Sequence, residues 1–174
     1  IESNEDYLGG EDNTIYASAI KVKEYLSDKK YGVKINIKKN IPTGSGMGGG
    51  SSNAASTIIA LNKLWDLNLS KERLSKIAKE IGADVPFFMF GKNALGNGIG
   101  DELQEVSSIG DNILIIDPLI HNSSKNMFSL LKQRKEIKNN SLYKQNHFFD
   151  VFVESNKEVK NFVKKFNKDY VINL

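Results

Sequence analysis

The chain has no cysteine, which removes disulfides, thiolate nucleophiles and cysteine-ligated zinc together and mildly favours a reducing compartment. Histidine is almost as scarce. His121 and His147 stand apart without metal-ligand spacing and read as surface side chains. Arginine is confined to Arg73 and Arg134, so the net charge of +3 rests on lysine. Nucleic-acid readers place arginine forks on base edges and cluster their basic residues, whereas these lysines are scattered. They read as a solvated surface, and no nucleic-acid partner is expected. No apolar run approaches the ~18–20 residues of a membrane span, and the first residues show no signal-peptide pattern. No membrane partner is expected either, and the compartment read from this is a bacterial cytoplasm. The excess of lysine and asparagine points to a genome poor in G and C, which keeps a plastid-type organelle open.

What remains is a chain able to bury a core. Its 174 residues are 40% hydrophobic and 26% charged, enough for one large domain or two small ones. No internal repeat and no linker rich in proline and serine divides it. Residues 11–32 carry Ile15, Ala19, Val22 and Leu26 at helical spacing, with Asp12 or Asn13 to cap the start and Gly32 to stop it. Val33, Ile35 and Ile37 alternate with Lys34, Asn36 and Lys38, which predicts a half-buried strand. Residues 51–65 predict a helix that buries Ala55, Ile58, Ile59 and Trp65. Ser70 caps a further helix through Leu74, Ile77 and Ile81, and Gly82 stops it. Residues 93–106 and 112–118 read as strands, 123–142 as a lysine-rich helix, 151–155 as a short strand and 156–166 as an amphipathic helix. A strand directly after His147–Asp150 is odd, because no turn residue separates the two.

Between the first strand and the second helix lie five glycines in seven positions, Gly44 to Gly50, followed by Ser51, Ser52 and Asn53. Strand, glycine loop, helix is an arrangement that binds phosphate. Bare backbone N–H groups crowd an anion, and the helix start adds about half a positive charge. A surface linker is the plainer alternative, but it would not sit between a clean strand and a clean helix. No Gly-Lys-Ser or Gly-Lys-Thr occurs, so the Walker loop is excluded. Gly44, Gly46 and Gly49 satisfy G-x-G-x-x-G, yet the following helix leads to another helix and not to a second parallel strand. The protein-kinase signatures are also absent.

The stretch "IPTGSGMGGGSSNAA" resembles the ATP loop of the GHMP small-molecule kinases, and "IGADVPFFMFGKNALGNGIGDEL" is similar to their acidic motif and the strand after it. "EDNTIYAS" resembles the family's segment beside the adenine. The resemblance runs from about residue 11 to 120. Three glycines before Ser-Ser-Asn-Ala-Ala are similar to the branch that phosphorylates a cytidylyl methylerythritol in non-mevalonate isoprenoid synthesis.

The resemblance implies an α+β GHMP kinase fold. Residues 1–111 would form an N-terminal ATP-binding domain with a left-handed βαβ unit, and residues 112–174 a ferredoxin-like C-terminal domain. It implies ATP and Mg2+ as cofactors. ATP would contact Asn13, Lys39, Pro42, Thr43, Gly44, Ser45, Gly46, Met47, Gly48, Gly49, Gly50, Ser51, Ser52 and Asn53. Asp84 matches the catalytic aspartate, which orients or deprotonates the attacking hydroxyl and so also meets the substrate. Read on its own, Asp84 is a helix cap after Gly82. Ser124 and Phe128 fall where the family contacts the cytidine half of the substrate; on its own Phe128 reads equally as core. The metal's protein ligands stay unassigned, with Ser51 or Ser52 as candidates.

The sequence departs from the family twice. Nothing matches the N-terminal Pro-Ala-Lys-Ile-Asn-like motif that supplies a lysine, and the late Gly-Ser-Gly or Gly-Thr-Gly loop is missing near Asp150–Val151. The chain begins as though in mid-domain, and the expectation is a longer enzyme with stretches omitted. Another GHMP kinase of the mevalonate or homoserine type is the near rival reading. A nicotinamide-dependent oxidoreductase and an inactive nucleotide-binding module are the distant ones. The oligomeric state is not legible.

Overall fold

Asn13 starts the first helix through its own side chain: Oδ1 accepts from the Ile15 N–H at 2.9 Å, and α1 (Thr14–Lys23) follows. The computed structural model describes residues 1–4, 10–28, 30–107, 114–121, 123–133 and 146–166. α1 ends well before the expected stop at Gly32. Asp28 Oδ1 accepts from the Lys30 N–H at 2.9 Å, a local turn that diverts the backbone from helical bonding.

Of the strand expected over 33–37, only β2 (Asn36–Ile37) joins a ladder, because its partner β1 (Glu2–Ser3) is two residues long. The pair is parallel, with Glu2 opposite Asn36 and Ser3 opposite Ile37, and α1 lies between the two strands in sequence.

α2 (Gly49–Leu64) begins two residues before the expected Ser51 and buries Ala54, Ala55, Thr57, Ile58 and Leu61. Ile59, expected inside, is 46% exposed. Neighbouring helical residues point about 100° apart, so the stripe that holds Ile58 turns Ile59 outward. Small buried residues, Ser18 on α1 with Ala54 and Ala55 on α2, let the two helices pack closely. The buried Ser18 hydroxyl is satisfied by donating to the Thr14 carbonyl at 2.7 Å.

α3 (Lys71–Ile81) matches its expectation: Ser70 Oγ accepts from the Arg73 N–H, Ile77 and Ala78 are buried, and Gly82 follows. The six-residue α4 (Val85–Phe90) buries Val85 and Pro86. Val22, Ala54, Ala55, Ile58, Leu61, Ile77, Ala78 and Val85 make one core, with Trp65 partly buried against it. Each large member contributes about 1.5–3 kcal/mol. Residues 93–106 fold as a hairpin, β3 (Ala94–Asn97) antiparallel to β4 (Glu102–Glu105), with Gly98 at φ +67° and Gly100 at +96° in the turn.

The chain divides into two compact units, one of Ile1–Thr43 with Gly48–Ile113 and a second of Gly44–Met47 with Leu114–Leu174. In the second unit the strand expected over 112–118 is not formed where described: Leu114–Pro118 pairs with no strand, and Leu114 and Ile115 are 83% and 69% exposed. The expected lysine-rich helix is α5 (Ser124–Gln133), and its remainder lies outside the described residues. Residues 151–155 are not a strand but the second half of α6 (His147–Ser155), which runs unbroken through Asp150–Val151. The apparent alternation Val-Phe-Val misleads because Phe148, Val151 and Phe152 share a helical face against Met127. Local bonds agree: Asn146 Oδ1 accepts from the Phe148 N–H at 3.0 Å, and Ser155 Oγ donates to the Val151 carbonyl at 2.7 Å. α7 (Lys157–Phe166) forms as expected, and the final "YVINL" lies outside the described residues. Among the described residues no helix is long and apolar enough to cross a membrane.

Candidate active site

The glycine segment takes a backbone that side chains would strain. Gly44, Gly46 and Gly48 have φ of +74°, +76° and +64°, alternate positions in the left-handed region. Gly48 is the N-cap of α2, and the first helical bond runs from the Ser52 N–H to the Gly48 carbonyl at 2.9 Å. The N–H groups of Gly49, Gly50 and Ser51 therefore have no helical acceptor. Asn13, Ser70 and Asn146 cap their helices with side chains, whereas no side chain caps α2.

A cation stands at this uncapped end. The Lys39 ammonium lies 3.1 Å from the point a Cβ on Gly49 would occupy. A positive charge beside the positive pole of a 16-residue helix is unfavourable unless an anion joins it. Among the described residues no carboxylate pairs with that ammonium. Asn4 fixes the Lys39 backbone from both sides: its Oδ1 accepts from the Lys39 N–H at 2.7 Å, and its Nδ2 donates to the Lys39 carbonyl at 3.3 Å. Thr14 ties the start of α1 to the same place, donating from Oγ1 to the Gly50 carbonyl at 3.1 Å. That contact carries the half-buried Asn13, next in sequence, to the first turn of α2.

Asp84 is exposed at the N-cap position of α4, yet its carboxylate makes no capping bond there, so the plain cap reading does not describe what this side chain does. One turn along the helix, the Phe88 ring lies against Gly48. Gly48 to Asn53, Lys39, Asn13 and α4 thus belong to one packed unit. Pro42 and Thr43 lead into the glycines, and Ser51, Ser52 and Asn53 are half-buried on the first turns of α2. Gly44, Ser45, Gly46 and Met47 fall in the other unit, as do Ser124 and Phe128. Ser124 opens α5, and Phe128, 55% exposed, meets Phe148 edge-on with centroids 4.9 Å apart.

Sequence reasoning missed Asn4, Thr14 and Phe88. Thr14 had the one readable signal, a hydroxyl next to a cap and level with the adenine-side motif. It also missed the Lys79–Asp101 pair at 2.7 Å, which ties α3 to the hairpin turn. The hydrogen bond from Lys79 holds the Asp101 carboxyl below the ordinary aspartate range. Likewise Glu80 and Glu24 raise Lys21, and Lys21 lowers Glu80, across the α1–α3 contact. Among the described residues no group of three or more His, Cys, Asp or Glu side chains could hold a metal by itself.

Residues 13–92 match the family profile described as GHMP kinases N terminal domain. Curated relatives named 4-diphosphocytidyl-2-C-methyl-D-erythritol kinase include that of Paraburkholderia phymatum, 45% identical over 118 residues, 68% of this chain and 40% of that protein. The one from Polynucleobacter necessarius is 56% identical over 87 residues, 50% of this chain and 29% of its own. The one from Francisella tularensis is 37% identical over 177 aligned positions, 98% of this chain and 64% of its own. The chain thus spans from about a third to just under two thirds of these relatives' length. A solved structure titled as 4-(cytidine 5'-diphospho)-2C-methyl-D-erythritol kinase superposes with a TM-score of 0.69 at 22% identity, over 96% of this chain and 65% of that one. Residues 13–92 are thus similar to the N-terminal domain of the GHMP kinases, and the chain has the fold of the solved kinase.

Proposed function

We propose that the chain acts in an ATP-dependent kinase that phosphorylates the 2-hydroxyl of 4-diphosphocytidyl-2-C-methyl-D-erythritol in bacterial isoprenoid synthesis, in the cytoplasm. The observation that carries this is the start of α2: N–H groups with no helical acceptor, no capping side chain, and the Lys39 ammonium beside Gly49. Bare N–H groups, the positive pole of α2 and the Lys39 ammonium converge there, and the triphosphate tail of ATP is the anion they suit. Loop residues Pro42 to Asn53 would hold that tail, and Asn13 would lie beside the nucleoside.

Mg2+ bound to ATP would neutralise charge on the transferring phosphoryl group. Such a metal takes most of its oxygens from phosphate and water and needs one or two from protein, so the lack of an acidic cluster among the described residues is compatible with it. The Ser51 and Ser52 hydroxyls suit that task. Asp84 would orient the substrate hydroxyl and accept its proton. Its uncommitted, exposed carboxylate supports that role.

The domain reading is residues 1–111 for ATP and 112–174 for the C-terminal, ferredoxin-like part. The parallel β1–α1–β2 arrangement is the unit to which a left-handed crossover is assigned. On α5, Ser124 and Phe128 would meet the cytidine, with the exposed Phe128 ring free on one side for stacking, a contact of about 1–3 kcal/mol per base.

The test is to offer γ-labelled ATP to the intact protein with the cytidylyl alcohol, mevalonate or homoserine. Label is expected on the cytidylyl alcohol alone. Transfer to mevalonate or homoserine instead, or ATP binding without transfer to any alcohol, overturns the proposal.

A further inference from the structure

Gly48 and Asp84 lie on different elements, and the Phe88 side chain, on the helix that Asp84 opens, packs against Gly48. The Phe88 ring carries Cζ and Cε2 at 2.5 and 2.7 Å from the point a Cβ on Gly48 would occupy. Glycine is therefore required at position 48 on two counts, the φ of +64° and the ring itself. Phe88 belongs to α4, whose N-cap is Asp84, and the Phe88 N–H reaches back to the Asp84 carbonyl at 3.4 Å. The ring is held in turn: it packs on the main core and meets Phe87 edge-on with centroids 5.4 Å apart. α4 has six residues and cannot hold its own position without tertiary packing.

From this we infer that Phe88 is a positioning residue that sets the separation between the exit of the glycine loop and the Asp84 carboxylate. The inference rests on the kinase reading for its consequence. Its geometry is independent of that reading. Phosphoryl transfer depends on placement, and a displacement of about 1 Å costs on the order of 100-fold in rate. Trimming the ring lets α4 settle toward α2, so Asp84 moves relative to the loop while the loop keeps its grip on nucleotide.

Four variants of the intact protein test this: Phe88→Leu, Gly48→Ala, the two together and Phe88→Tyr. For Phe88→Leu, kcat is expected to fall about 10-fold or more with KM for ATP within twofold. Gly48→Ala should lose more, and the double variant should recover part of that loss, since the smaller side chain makes room for the added methyl. Phe88→Tyr keeps the ring and should retain most of kcat. Crystal structures of the wild type and Phe88→Leu read the Gly48–Asp84 distance directly, and a change is expected. An unchanged distance overturns the positioning role whatever the activity. Unchanged kcat with only a lowered melting temperature also overturns it. If the wild type transfers no phosphate, the kinase reading fails, and the measured distance alone decides the role of Phe88.

Discussion

The first unit closes four helices around eight buried core residues, while the described part of the second gathers α5, α6 and α7 around Met127, Val151 and Phe152. The difference is one of means as well as size. In the first unit small residues bring α1 and α2 together, and ion pairs lace α3 to its neighbours. The second relies on amphipathic stripes and leaves Leu114, Ile115, Ile116 and Leu119 exposed. Placement to a fraction of an ångström needs the first kind of construction. It is there that the uncapped helix start, Lys39 and Asp84 are found.

The sharpest way to break this contrast is a change that removes chemistry without touching packing. Asp84→Asn is expected to lower kcat by roughly 100- to 10,000-fold while leaving the melting temperature unchanged, since the side chain is exposed and caps nothing. A large loss of stability would mean that the carboxylate is structural. Core truncation tests the opposite property. Ile58→Ala should cost about 3–5 kcal/mol and Met127→Ala about 2 kcal/mol in urea unfolding, because the sparser cluster has fewer partners to lose. Equal costs would erase the distinction between the units.

Lys39→Met separates binding from folding within the first unit. Affinity for ATP should fall about tenfold, the size of one charge-assisted bond, while the ATP-free protein gains about 0.3–1 kcal/mol. Calorimetric titration and thermal melting measure the two effects, and a loss in both would place Lys39 in the scaffold instead. The smallest effect concerns acid. Because the folded state lowers the Asp101 carboxyl, the Lys79–Asp101 contribution is present above the ordinary aspartate value and is lost as pH falls through the folded one. Asp101→Asn should therefore differ from the wild type in melting at neutral pH and converge with it in strong acid.

Much of the first unit was legible because its signals are local. Asn13 and Ser70 mark helix starts by their own hydrogen bonds, and the glycine run announces the left-handed backbone found at Gly44, Gly46 and Gly48. The second unit misled for the same reason. Val151–Ser155 alternates like a strand, but Phe148, just upstream, completes a helical face, and only the packing of that face against Met127 decides the matter. Asn4 clamping Lys39, thirty-five residues away, leaves no mark in the sequence at all. Nor does the ring of Phe88 beneath Gly48, since the "FFMF" run offers several aromatic side chains and only the fold selects one.

Trp65 is the only tryptophan, and it closes α2 at the end opposite the glycines, 16 residues and about 24 Å from them. Tryptophan emission therefore reports on the C-terminal end of α2. A nucleotide could dock at the loop and leave that signal almost still. An introduced fluorophore at Met47, which is 38% exposed, would watch the event at close range.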